Sequence, residues 1–163
     1  MAAASCRMGR HRGFTLPELV IVMLLMAILA GTAIPRLFDK SGFAARGARD
    51  YVGAGLRYAQ KAAIAMRRNV CVDIGATSLA VTHAAAAGND QACGASVANP
   101  ATGVPFGSYA YENATVATPA TVVFDAMGRP MSAPATFRTT ALAITVNGHA
   151  NPVTLEPETG YVR

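Results

Sequence analysis

The sequence predicts an α+β fold: a long N-terminal helix, half of it transmembrane, packed on an antiparallel β-sheet. Three observations predict it. Residues 14–34 carry a single charge, Glu18, and the run from Leu19 to Ile34 carries none. Apolar residues then recur at spacings of three and four between Phe43 and Arg68. Beyond Asn69, short β-rich runs are separated by Gly, Pro and Asn.

At 163 residues the chain has room for one ordinary domain and an anchor. Its 52% hydrophobic and 14% charged composition departs from the roughly 25% charge of soluble domains, so part of it belongs in lipid. The formal charge of +5 is unevenly spread. Residues 1–13 hold Arg7, Arg10 and Arg12 and no acid. Residues 36–68 hold eight bases against Asp39 and Asp50. From residue 69 onward three arginines face six carboxylates, so the basic balance belongs to the head and stem.

The first element is a membrane segment over residues 14–35. The 21 residues from Phe14 to Ile34 rise about 31 Å as a helix, matching a hydrocarbon core of roughly 30 Å. The arginines before it predict a cytoplasmic leader, residues 1–13, with the rest of the chain outside the inner membrane. A cleaved secretory signal would share the basic start and apolar middle. Glu18 speaks against that, because a carboxylate at membrane depth is costly unless something compensates it. Thr15-Leu16-Pro17-Glu18 has capping-box spacing, with proline in the first turn. Such a box satisfies backbone donors and leaves the charge unanswered. A cation would become available if the chain were cut after Gly13, freeing an α-amino group on Phe14.

The run Gly13-Phe14-Thr15-Leu16-Pro17-Glu18-Leu19, followed by the apolar stretch and Pro35, resembles the class III signal of type IV pilins and pseudopilins. The resemblance implies cleavage between Gly13 and Phe14 by a prepilin peptidase, methylation of the new amine, and a role for Glu18 in aligning subunits during assembly. It also implies other major and minor pilins as partners, and a final place in a pilus or pseudopilus.

The second element is an amphipathic stem helix over residues 36–68. Ala48, Val52, Leu56, Ala59 and Ala63 line one side, while Arg46, Arg49, Arg57, Lys61 and Arg68 collect opposite. The third is a periplasmic β-rich domain over residues 69–163. Strands are expected at Val70–Ile74, Leu79–Thr82, Ser108–Glu112, Thr121–Asp125, Ala135–Thr139, Leu142–Val146, Val153–Leu155 and Tyr161–Arg163. Asp125–Pro130 and Asn147-Gly148 read as turns, and His83–Gly107 as a long surface loop. Cys71 and Cys93 form the expected disulfide of an oxidising compartment, stapling that loop.

Three further segments resemble the GspH/FimT group of pilin-like proteins: Leu56–Ala63, Val123–Pro130 and the closing Glu158–Arg163. Stem and tail are most similar to the minor pilins of mannose-sensitive haemagglutinin (MSHA) pili. The resemblance implies a low-abundance subunit that primes or caps a pilus, or a type II secretion pseudopilin. Some members of the group bind DNA through a pair of tail arginines. Here only Arg163 stands at the tail, and affinity for DNA follows the number of phosphates neutralised, so nucleic acid is not the expected partner.

No enzyme is expected. His11, His83 and His149 have no metal-ligand spacing, and phosphate-binding glycine motifs and nucleophile elbows are missing from the sequence. The sequence implies neither metal nor cofactor.

Overall fold

The computed structural model describes residues 14–37, 40–106 and 110–163, without the side chains of 32–37, 40 and 41. These residues fall into two compact units divided after Asp39.

In the first unit, helix α1 runs Leu16–Leu37. The helix continues through Pro35 to Leu37. Its described large side chains are exposed on every side, from Val22 at 45% to Leu16 at 80%. Among the described residues no helix is long and apolar enough to cross a membrane. The described side chains of α1 end at Gly31, sixteen helical residues from Leu16 that rise about 24 Å.

The second unit begins with helix α2, Lys40–Met66. Its end is chemically defined. Arg67 adopts φ 52° and the Arg68 N–H bonds back to the Ala63 carbonyl at 3.4 Å, the six-to-one closure of a Schellman cap. Asn69 follows, fully buried, its amide donating to the carbonyls of Asn89 and Gln91.

Among the described residues eight strands follow: β1 Val70–Ile74, β2 Leu79–Ala84, β3 Cys93–Ser96, β4 Ala120–Phe124, β5 Pro130–Ala133, β6 Thr136–Phe137, β7 Leu142–Ile144 and β8 Val153–Leu155. The first six form one antiparallel sheet in the order β3-β2-β1-β4-β5-β6, and β7 pairs with β8 separately. Register puts Val72 opposite both Val81 and Val122, and Val70 opposite Phe124. Alternation sends these residues to one face, where they are buried with Val52, Leu56, Ala59 and Ala63 of α2. Small residues let the helix sit close. A Cβ at Gly55 would lie 3.1 Å from Leu79 Cδ2.

Two expectations need correction. The segment His83–Gly107 is not a plain surface loop, because it contains β3 and buries Val97 and Phe106. Cys93-Gly94-Ala95-Ser96 has no apolar alternation to announce a strand; backbone pairing to β2 holds it there. The segment Asp125–Pro130 is a turn as expected, but Pro130 opens β5, a strand the sequence analysis left out. Proline at a strand's first position costs no ladder bond. Of the strand expected over Ser108–Glu112, residues 107–109 lie outside the described residues and Ala110 forms only a bridge to Ser78. Val162 likewise makes a single bridge, to Leu155.

Candidate functional site

The head of the chain is the first candidate site. Gly13 and the leader before it lie outside the described residues. Phe14 is 79% exposed, so the residue that would become the new terminus is uncovered. The Thr15 carbonyl accepts the first helical bond, from Leu19 N–H at 3.1 Å, which makes Thr15 the cap. The reciprocal side-chain bonds of a capping box are not among the hydrogen bonds of the described residues. Glu18 is exposed in the first turn of α1, where the helix dipole favours an anion, and its carboxylate takes part in none of the described salt bridges.

The structure brings together the three segments singled out in stem, turn and tail. Gln60 on α2 donates through Nε2 to the Gly128 carbonyl at 3.0 Å and to the Thr159 carbonyl at 2.9 Å. Arg57, one turn earlier, donates to the Val162 carbonyl at 3.1 Å. The contact requires glycine twice. Gly128 and Gly160 have φ of 80° and 67°, and a Cβ at Gly160 would come within 2.6 Å of the Gly128 carbonyl. The turn is held from inside by Asp125, which is 1% exposed. Its carboxylate accepts from the backbone N–H groups of Met127 and Arg129 and pairs with the Arg129 guanidinium at 2.7 Å. Arg129 in turn stacks over Phe137, 4.4 Å from the ring centre. The sequence marks these segments but does not single out Gln60, the side chain that joins them. A glutamine on a stem otherwise lined by alanine and arginine was the available signal.

A disulfide joins Cys71 to Cys93, linking β1 to β3 across the intervening β2. Arg163 is integrated in the fold: its side chain pairs with Glu156 at 3.2 Å, and its backbone N–H and carbonyl both bond Thr154. Among the described residues no group of three His, Cys, Asp or Glu is arranged to hold a metal.

Beside the stem, a groove of about 310 Å³ is lined by Ala48, Tyr51, Tyr111 and Asn113. The Tyr111 hydroxyl is buried there without a hydrogen-bond partner. Burial first, then the neighbouring Tyr51 and Asp73, raises its pKa above the ordinary phenol value.

Residues 8–34 match the family model described as the prokaryotic N-terminal methylation motif. The match spans 27 of the 163 residues. No curated protein and no solved structure matches the chain. The head is thus a type IV prepilin-like signal, and it indicates a type IV pilin-like protein. Such a motif implies processing by a prepilin peptidase and assembly with other pilins.

Proposed function

We propose that this chain is a minor pilin or pseudopilin, a structural subunit that primes or caps a filament of the MSHA type. It is made as a precursor, anchored in the bacterial inner membrane by residues 14–35 with the leader in the cytoplasm, and cut between Gly13 and Phe14. Its β-rich domain then lies in the periplasm until the filament machine draws α1 from the membrane into a bundle.

The observation that carries this reading is the methylation motif over residues 8–34, closed by a carboxylate at Glu18 that none of the described salt bridges engages. A free, methylated amine on Phe14 of a neighbouring subunit is the cation that would answer Glu18. The all-round apolar character of α1 supports burial in lipid before assembly and among other helices after it. The knitting of stem, turn and tail through Gln60 supports the GspH/FimT likeness, since the three segments that carry it meet at one place.

A type II secretion pseudopilin remains the second reading, because the same anchor and stem serve both machines. The FimT-like DNA-binding reading is weakened by the pairing of Arg163 with Glu156. Intact mass and N-terminal sequencing of the protein from native membranes test the proposal. An N-methylated Phe14 start is expected. A start near Ile34 would mean a secreted soluble protein, and an intact Met1 a simple tether.

A further inference from the structure

We propose that the outward face of α2 is a docking surface for an acidic helix of a different protein subunit. The proposal rests on the filament reading above for its setting, and on α2 alone for its chemistry. With 100° per residue, Arg46, Arg57 and Lys61 fall within about 60° of one another around the helix, an arc whose one acid, Asp50, is paired with Arg49. They lie opposite the buried row of Val52, Leu56 and Ala63. None of the three is in a described salt bridge; Arg57 uses one donor on a backbone carbonyl. The sole ion pair described on this helix is Arg49 with Asp50.

From Arg46 to Lys61 the row extends about 22 Å along α2, so a partner that meets all of it must be rod-shaped. A second copy of this helix would bring like charges together, which suppresses pairing. Nor does the β-rich part of a second copy offer a matching row. Asp125 and Glu156 are engaged by arginines, and Asp73, Asp90, Glu112 and Glu158 stand on four separate segments. The partner is therefore another chain. A phosphate backbone is also rod-shaped, but it carries a charge about every 1.7 Å, far denser than this row. The face also shows Phe43, 67% exposed, and Ile64, 49% exposed. These side chains suit an amphipathic helix with apolar residues between its acids.

The test is a photo-crosslinking residue at Ala54, exposed beside the cationic row, in the full-length chain expressed in its own cells, with adducts mapped by mass spectrometry. The expected adduct is a peptide of another protein bearing Asp or Glu at helical spacing. Its yield should fall roughly tenfold in Arg46→Glu/Lys61→Glu, less in Arg46→Gln/Lys61→Gln, and return when two partner carboxylates become lysine. Neither Arg46 nor Lys61 has a described hydrogen bond or ion pair, so both variants should fold, and resistance to protease checks this. An adduct with a second copy, with nucleic acid or with lipid alone, one that survives charge reversal, or no adduct would overturn the proposal. The N-terminal mass is read separately, so a failed filament reading and a failed docking surface are distinguishable.

Discussion

Helices α1 and α2 are both rich in apolar residues, yet they handle them in opposite ways. In α1 the described large side chains are exposed all round, Leu24 at 61% among them. In α2 the apolar side is closed: Val52 and Leu56 are fully buried against β1, β2 and β4. The second unit buries a core of its own, whereas the described apolar side chains of the first are open. Polar groups repeat the contrast. Asp125 is buried and met by four donor groups, two from the backbone and two from Arg129, while Glu18 is exposed and in none of the described salt bridges.

The largest expected effect falls on the proposed pairing of Glu18. Glu18→Ala should leave membrane insertion and leader removal unchanged, since neither needs the carboxylate. It should abolish incorporation into sheared filaments, a loss of roughly a hundredfold if the pair sits in lipid, where an unpaired charge costs several kcal/mol. Immunoblots of membranes and of sheared filaments read both. Normal filament content in the variant would show that Glu18 has no intersubunit partner.

The globular unit responds through stability instead. Leu56→Ala opens a void beneath the sheet and should cost about 3 kcal/mol, while Leu24→Ala, on the exposed surface of α1, should leave the unfolding of the second unit unchanged. Removing the Cys71–Cys93 link with a double alanine variant should cost about 3 kcal/mol by loop-closure entropy. Denaturant titration of each variant checks these values. Equal effects of Leu56→Ala and Leu24→Ala would erase the distinction between the helices.

Gly160→Ala should cost about 2 kcal/mol, because its φ of 67° disfavours a side chain and the new methyl would press on the Gly128 carbonyl. Loss of protection in the amide exchange of Tyr161 and Val162 would accompany it. If the tail stays protected, the Gln60 contacts do not hold it.

Much of this was legible in the sequence for definite reasons. The stem was readable because Val52, Leu56, Ala59 and Ala63 repeat at helical period, and β1 because Val70, Val72 and Ile74 alternate. The head was legible from a motif that needs no fold at all. Strand β3 was not, since Cys93-Gly94-Ala95-Ser96 is shaped by its neighbours and by Cys71 rather than by its own propensity. The capping box at Thr15 and Glu18 illustrates the reverse error: spacing permitted a pair of local bonds that the described hydrogen bonds do not include. The Gln60 contact joins residues about a hundred positions apart, beyond the reach of any periodicity.

The smallest effect belongs to Tyr111, whose hydroxyl is among the unanswered buried polar atoms of the described residues. Its backbone N–H is satisfied by the Thr77 carbonyl at 2.7 Å and its ring meets Tyr51 edge-on at 6.1 Å, but its buried hydroxyl has no partner. Removing an unpaired buried hydroxyl while keeping the ring should relieve a desolvation penalty, so Tyr111→Phe should stabilise the unit by about 1 kcal/mol. The raised pKa fixes the pH sign. The folded state holds the phenol proton more tightly than the unfolded chain, so this contribution is complete below the ordinary value of about 10. It is lost as pH rises through the folded value. Stability of the parent protein should therefore fall above pH 10 more steeply than that of Tyr111→Phe, measured by urea titration at successive pH values. A destabilised variant with an unchanged alkaline slope would mean that the hydroxyl is satisfied after all, and that the second unit leaves nothing of its own unpaired at that groove.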